Sequence, residues 1–325
     1  MKIGDIDVIP LAAESLGVRS LCTKIKTPDL SILLDPSAAL AFRPPHEPHP
    51  KEYLALQEAL IRIEEAAKDC DILTISHYHF DHVRPGATNQ RYNLSTPQDR
   101  VRTYAGKRIL AKDGRMNINP SQRRRSYYFE RDLRNVASIE VADGKTFQIG
   151  NTRLEFSHPL PHGPDNSPLG YVLATTVYYE DVTVVFAPDV QGPSSKSSFE
   201  YLASRNADTA ILGGPPIYLK SYSPSENKQS HDSLTQLAKS IRYLVVDHHL
   251  LRTTEWESWI SPVISISEAS GNQVTSMAGF SGIEPVLLEA HRSRLYEEYP
   301  PSARFMEWLC STDEYKFKHP PPCLG

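Results

Sequence analysis

The stretch His77-Tyr78-His79-Phe80-Asp81-His82 follows directly on Ile72-Leu73-Thr74-Ile75, a run typical of a short buried strand. In extended backbone alternate side chains share a face, so His77 and His79 can both reach one ion. Asp81 and His82 come where the chain must turn, and they could bind a second ion beside the first. Imidazole and carboxylate ligands suit zinc, iron or manganese. Packing these four side chains without a metal would bury polar groups with no obvious partners. The stretch therefore predicts a metal site at a strand end.

The rest of the 325-residue chain alternates between strand and helix patterns. An amphipathic pattern predicts a helix over 51–69, and residues 87–134 are interpreted as a long polar loop with one helix. Further on, the pattern predicts a helix over 253–258 and a strand over 263–266. With no repeat and no clean linker, the chain is expected to form a single domain over 1–325. That domain would carry a basic insertion at about 87–134 and a helical C-terminal extension at about 270–325.

At residues 77–82 the sequence resembles the metallo-β-lactamase superfamily, whose signature is HxHxDH. The resemblance implies an α/β fold, an αββα sandwich of two mixed sheets flanked by helices, with a metal site at one edge of the sheets. It also implies further ligands in a fixed order, namely one histidine, one aspartate and one histidine. Three shorter segments resemble a mostly archaeal branch of the superfamily, for which a fold and a site but no substrate are implied: Ser121–Arg125, Gly213–Pro216 and Val246–Leu250.

Each of these later positions has a candidate. The family's distance to the Gly170-Tyr171 strand favours His162 as the third histidine, with His158 as the alternative or as a residue behind the ligands. Asp189 ends a strong apolar strand, although Pro188 stands where the family more often has glycine. His248 follows the next apolar strand, and His249 is the alternative.

The resemblance implies a role for each of these residues. His77, His79 and His162 would hold one ion, and Asp81, His82 and His248 would hold the other, with Asp189 bridging them. Two divalent ions, most simply zinc with iron or manganese as alternatives, would lower the pKa of a shared water toward about 7. Asp81 would take up and return the proton. Asp35 is expected to support the site through hydrogen bonds, and Asp247 either orients a ligand or caps the next element.

Bulk composition excludes several classes of protein. The net charge is −4 and 40% of residues are hydrophobic, so a sizeable core is expected. The four cysteines form no CxxC pair and are interpreted as reduced thiols, which predicts a cytoplasmic protein. Acidic residues near the N-terminus argue against a signal peptide, and no apolar run is long enough to predict a membrane partner.

Positive charge is concentrated in one segment. Residues 91–134 contain twelve lysines and arginines against four acids. Arg123-Arg124-Arg125, followed by Tyr127-Tyr128-Phe129, could pair phosphate with stacked bases, although a solvated charged face is an equal alternative.

The sequence thus predicts a metal-dependent hydrolase acting on a small or phosphate-containing substrate. A phosphodiester or phosphate ester is the first expectation, with nucleic acid included. Hydrolysis of a carbonyl ester, thioester or lactam is the alternative. A di-iron redox protein and a non-catalytic binding protein remain further alternatives.

Overall fold

Two seven-stranded sheets form the centre of the molecule. The computed structural model describes residues 1–165 and 167–324. In the first sheet the strands lie in chain order, antiparallel from β1 to β4 and parallel from β4 to β7. They are β1 (Lys2–Ile3), β2 (Ile6–Pro10), β3 (Thr23–Lys26), β4 (Ser31–Leu34), β5 (Ile72–Ile75), β6 (Arg108–Ala111) and β7 (Ser138–Val141).

The second sheet is also mixed. Its strands are β8 (Thr146–Ile149), β9 (Thr152–Phe156), β12 (Thr175–Tyr179), β13 (Val182–Ala187), β14 (Thr209–Gly213), β15 (Tyr243–Asp247) and β16 (Gln273–Thr275). They lie in the order β16-β15-β14-β13-β12-β9-β8, with β13 to β16 parallel and the others antiparallel. A separate two-stranded ribbon joins β10 (Leu160–Pro161) to β11 (Tyr171–Val172).

The described residues form ten α-helices around the two sheets. They are α1 (Pro50–Asp69), α2 (Pro97–Tyr104), α3 (Pro120–Leu133), α4 (Lys196–Ala203), α5 (Pro224–Ala238), α6 (Trp256–Ala269), α7 (Met277–Phe280), α8 (Arg292–Glu298), α9 (Ala303–Cys310) and α10 (Asp313–Lys318), with 3-10 turns at His248–Arg252 and Pro322–Leu324. The first helix shows why the sequence folds this way. Its N-cap His49 accepts from Lys51 N, Glu52 reaches back to the cap, and Leu56, Leu60 and Ile63 face the core.

Alternation along the strands divides the core into three layers. Ile32 and Leu34 point between the sheets, where they meet Val184 and Phe186 of the second sheet. Leu33 points the other way, against α1, α2, α3 and α9, and the opposite face of β13 packs on α4, α5 and α6. Helices, two sheets and helices therefore stack as the predicted αββα sandwich.

Two local predictions were wrong. Residues 87–134 are not a loop with one helix, because they contain α2, α3 and the strand β6, which pairs with both β5 and β7. Residues 263–266 are not a strand but lie within α6. The β-branched run there favours a strand by local propensity, yet Ile260, Val263 and Ser267 are buried at helical spacing, and packing decides.

Two further features concern cross-links and membrane spans. Cys22, Cys70, Cys310 and Cys323 are all free thiols. Across 1–165 and 167–324, no helix combines the length and the apolar character needed to cross a bilayer.

Candidate metal centre

The predicted ligands come together where several strands end at one edge of the sandwich. His77, His79, Asp81 and His82 follow β5, and His162 follows β10. Asp189 lies after β13, and His248 and His249 lie after β15. The carboxyl ends of parallel strands meet at one edge, so residues far apart in the chain converge there.

The Asp189 carboxylate lies at the centre of this cluster. Its Oδ2 atom is 2.9 Å from His162 Nε2, 3.1 Å from His77 Nε2 and 3.4 Å from His82 Nε2. Its Oδ1 atom is 3.2 Å from His248 Nε2. Asp189 is buried, so the histidines on both sides share one carboxylate that is shielded from solvent.

Two groups of potential ligand atoms meet at this carboxylate. His77, His79, His162 and Asp189 form the first group, in which every ligand atom lies within 4.8 Å of the others. The second group satisfies the same limit and contains Asp81, His82 and His248. In that group Asp81 Oδ2 is 3.5 Å from His248 Nε2. These two groups match the sets that the resemblance implied for two neighbouring ions. Two overlapping groups also satisfy the limit, namely Asp35, His77 and His82, and Asp189, His248 and His249.

Several potential ligand atoms in the cluster lack hydrogen-bond partners within the described part of the chain, as expected of atoms that bind a metal ion. His77 Nε2, His82 Nε2, His249 Nδ1 and Asp189 Oδ1 are buried and have no hydrogen-bond partner among the described residues. Leaving such atoms unpaired costs about 1–3 kcal/mol each. Ligands about 2.0–2.1 Å from a tetrahedral ion lie about 3.3 Å apart, close to the separations around Asp189. The residues present therefore suit divalent metal ions.

Asp35 orients His82 directly and His77 through Ser76, by hydrogen bonds on the side of each imidazole that faces away from Asp189. His82 Nδ1 donates to Asp35 Oδ2 at 2.9 Å. Ser76 donates to the same carboxylate through its backbone N at 2.7 Å and its Oγ at 2.5 Å. His77 Nδ1 lies 2.9 Å from Ser76 Oγ, which places its proton on that bond. Both imidazoles thereby keep the Nε2 lone pair facing Asp189, as metal ligation requires.

A second support was not predicted from the sequence. His248 Nδ1 donates to Glu14 Oε2 at 3.1 Å, and Arg252 Nε donates to Glu14 Oε1 at 2.7 Å. Arg252 in turn lies 3.8 Å from Asp81 Oδ2. No sequence signal pointed to Glu14, which lies 234 positions from His248, whereas Ser76 adjoins the HxHxDH stretch and could have been considered.

Asp247 supports the backbone of the site. Its carboxylate accepts from His248 N at 2.7 Å, from Met277 N at 2.9 Å and from both N and Oγ of Ser15.

Gln122 is another residue near the site that the sequence did not predict. Its Nε2 atom lies 3.4 Å from His79 Nε2.

The structure distinguishes His162 from His158 as a candidate ligand, but it places both His248 and His249 beside Asp189. His162 lies in the cluster, whereas His158 is exposed and packs beside Gly144. His248 and His249 both lie near Asp189, with His249 Nδ1 at 3.7 Å from Oδ1. His248 also belongs to the Asp81 group, which His249 does not.

Backbone conformation is unusual at the strand ends. Asp35, Asp189 and His248 have positive φ angles of 49°, 54° and 65°. Non-glycine residues seldom adopt this region, and each such residue costs roughly 1–3 kcal/mol. Gly213 ends β14 next to Asp189, and a Cβ there would lie 2.6 Å from Asp189 N. The Gly213-Gly214 pair thus lets three strand ends approach closely.

Burial and mutual charge shift the pKa values in the cluster. Burial lowers the pKa of His77 and His249 well below the usual value and that of His79 to about 3, which keeps these imidazoles neutral. Burial alone would raise the pKa of Asp189, but the surrounding histidines lower it well below its usual range. Conversely, Asp189 and Asp81 raise the pKa of His82 despite its burial.

The cluster opens into a cleft of about 430 Å³, which we call the metal cleft. Its wall includes His79, Asp81, His162, Asp189 and His249, together with Arg19, Arg125, Arg252, Phe80 and Tyr218. Of the three predicted phosphate-binding arginines, only Arg125 lines this cleft. Phe129 is fully buried, so the structure contradicts its predicted part in base stacking. Arg123 donates to the backbone of Arg115 instead.

Two mixed sheets, flanking helices and a His/Asp cluster at their edge define a protein of the metallo-β-lactamase fold. A CmlA β-hydroxylase mutant superposes with a TM-score of 0.51 at 12% identity, covering 85% of this chain and 53% of that chain. The metallo-β-lactamase fold protein YhfI from Bacillus subtilis gives 0.49 at 12% identity, covering 83% and 95%. UPF0282 proteins from two archaea are 39% and 38% identical to this chain over at least 90% of its length, so the chain belongs to the UPF0282 family.

Family membership rests on full-length relatives from archaea. A UPF0282 protein of Methanopyrus kandleri is 39% identical over 298 residues, covering 90% of this chain and 99% of the relative. Another from Sulfurisphaera tokodaii is 38% identical over 311 residues, covering 93% and 96%. No protein-family model matches the chain.

Proposed function

We propose that this protein is a metal-dependent hydrolase that uses two divalent ions, with zinc as the expected metal. The observation that carries the proposal is the convergence of six side chains around the buried Asp189 carboxylate, several of them with unpaired donor atoms. His77, His79 and His162 would hold one ion, and Asp81, His82 and His248 the other. Asp189 would bridge them.

Some side chains of the site are buried and would only hold the metal ions, whereas others face the cleft and can contact the substrate. Bound metal would supply an activated water and would stabilise negative charge on the attacked group. His77, His82 and His248 are fully buried and are held by Ser76, Asp35 and Glu14 respectively, so they keep the donor atoms in place.

Asp81 faces the metal cleft, unlike these buried ligands. Its carboxylate is the protein group best placed to accept a proton from the attacking water and return it to the leaving group.

Charge in the metal cleft favours a phosphate ester or phosphodiester as the substrate. Arg19 pairs with Glu289, which also contacts Arg43, and Arg252 pairs with Glu14, so both of these guanidinium groups already have a carboxylate partner. Arg125 forms no ion pair with any described residue, and it donates only to the backbone of Tyr78. A guanidinium without a carboxylate partner beside a metal site suits a phosphate oxygen, which a neutral carbonyl ester would not provide.

Metal analysis combined with a substrate panel tests the proposal. The purified protein should contain close to two transition-metal ions per chain and hydrolyse phosphate esters or phosphodiesters in a chelator-sensitive manner. The same panel includes carboxylic esters, thioesters and lactams, and an iron-rich preparation with a di-iron absorption band would favour redox chemistry instead. The His79→Ala variant should lose metal, whereas the exposed His158→Ala control should keep it. Full metal content in His79→Ala would refute the assignment.

A further inference from the structure

A second pocket adjoins the metal cleft and shares residues with it. It has a volume of about 470 Å³, and we call it the arginine pocket. Its principal lining side chains are Arg100, Arg124, Arg125, Arg131, Phe80 and Tyr128. Phe80 and Arg125 line the metal cleft as well, so one molecule could occupy both spaces. Neither the fold nor the metal ligands require this pocket.

The arginine pocket has an excess of positive charge. Asp132 is the acidic residue in its lining, and it pairs with Arg100 at 3.1 Å and with Arg131 at 2.6 Å. Arg124 and Arg125 have no carboxylate partner among the described residues. Arg124 is exposed, so its guanidinium is free to meet a ligand. Two uncompensated guanidinium groups in one pocket are suited to an anion with several oxygens.

Two of these arginines lie over aromatic rings. The Arg125 guanidinium lies 4.3 Å from the Phe80 ring centroid, and the Arg131 guanidinium lies 4.6 Å from that of Tyr128. Tyr128 is 43% exposed despite this contact. An exposed aromatic ring or guanidinium group offers a flat surface on which an aromatic base can lie, and the guanidinium N–H groups can donate to phosphate.

We propose that the arginine pocket binds a nucleotide unit of the substrate, phosphate and base together, while the adjoining linkage lies at the metal centre. This inference rests on the proposed hydrolase function, and it assigns Arg125 to the junction between the two spaces. A pocket of this size accommodates one such unit. The unit could belong to a small nucleotide ester or to a single strand of RNA, and the same arginines would recognise it in either case.

Neighbouring arginines on α3 provide a matched test. Arg124→Ala removes a pocket arginine, whereas Arg123→Ala removes the same charge from the same helix outside the pocket. Adenosine monophosphate and a short fluorescent oligoadenylate serve as the two probes, titrated at low ionic strength into the protein as purified. Arg124→Ala should weaken binding about tenfold, the effect of losing a charge-assisted contact, and Arg123→Ala by less than about twofold. With the oligonucleotide, Arg124→Ala should also lower the salt slope by about one.

Each outcome decides the inference. Selective weakening with the mononucleotide supports a small nucleotide ester as the source, and selective weakening with the oligonucleotide alone supports a single strand. Equal weakening by both variants would show general attraction to a basic surface and overturn the inference, as would no binding of either probe. Metal content is measured in the same preparations. Two bound metals without nucleotide binding would refute only the pocket assignment, whereas absence of metal would refute the hydrolase proposal itself.

Discussion

Replacing Gly213 with alanine should damage the metal centre without touching any ligand. The new Cβ would lie 2.6 Å from Asp189 N and 3.2 Å from its Cα, both backbone atoms that cannot rotate away. Ordinary van der Waals contact begins at 3.4 Å, so the strand ends must separate by about 0.8 Å. That movement carries the Asp189 carboxylate away from the imidazoles on both sides of it.

The expected loss can be measured as a change in metal affinity. Disturbing the support of a metal site typically costs 10–100-fold in affinity, and overpacking a core costs about 1–3 kcal/mol of stability. Zinc affinity is determined by competition with a chromophoric chelator, and the free energy of unfolding by urea denaturation of the chelated protein. Gly213→Ala should bind zinc about 10–100-fold more weakly than the parent protein.

Gly271→Ala is the matched control for this experiment. Gly271 has a φ angle of 74°, and a Cβ added there would meet nothing within 4 Å, so alanine costs about 1–2 kcal/mol of backbone strain away from steric contact. This control should lose stability and keep its zinc affinity. If Gly213→Ala bound zinc as tightly as Gly271→Ala, the close approach of β14 to Asp189 would not control the site, and the reasoning would fail.

Three further variants test other parts of the structure. His162→Ala should lose at least one metal ion per chain, whereas His158→Ala should retain the parental metal content in elemental analysis. Asp35→Ala should weaken zinc binding about 10–100-fold, because it removes the acceptor that orients an imidazole, as competition titration would show. Glu289→Gln should cost about 3 kcal/mol in urea unfolding at neutral pH, because it leaves the bidentate partner Arg19 without its counter-charge. Burial would raise the pKa of Glu289, but Arg19 lowers it to about 2. The parent's extra stability should be complete above pH about 4.3 and decline as the pH falls toward 2, and the variant should lack this decline.

Contrary results are equally specific. Metal loss in His158→Ala would return that histidine to the ligand set. Parental zinc affinity in Asp35→Ala would show that the imidazole is oriented by packing alone. A Glu289→Gln variant as stable as the parent at neutral pH would place that ion pair among those whose desolvation cancels their attraction.

Local sequence signals predicted the elements that present the ligands. The strand at 72–75 was placed correctly because it is a short apolar run bounded by turn-forming or polar residues. Placing the cluster at the ends of such strands followed from the HxHxDH stretch and the order of later motifs. Local signals failed at 263–266, where β-branched residues lie inside α6 because the helix buries them at helical spacing.

Contacts between distant segments could not be predicted. Glu14 reaches His248 only because the N-terminal segment folds over the end of β15, and nothing local marks that carboxylate as special. Likewise, the sequence could not distinguish Arg123 from Arg124, since both precede the same aromatic residues. Only the orientation of α3 about its own axis places Arg124 in the arginine pocket and Arg123 outside it.

The left-handed backbone at Asp35, Asp189 and His248 has a consequence for engineering this protein. Glycine at any of these positions would relieve roughly 1–3 kcal/mol of strain while removing a side chain of the site. At Asp35 this gain is offset by the loss of the hydrogen bonds from Ser76 and His82, so a library screened for heat resistance alone should accumulate glycine or asparagine at Asp189 and His248, in clones that are more stable but inactive. Screening for turnover should retain the original residues, so comparing the two libraries would separate the positions kept for chemistry from those kept for folding.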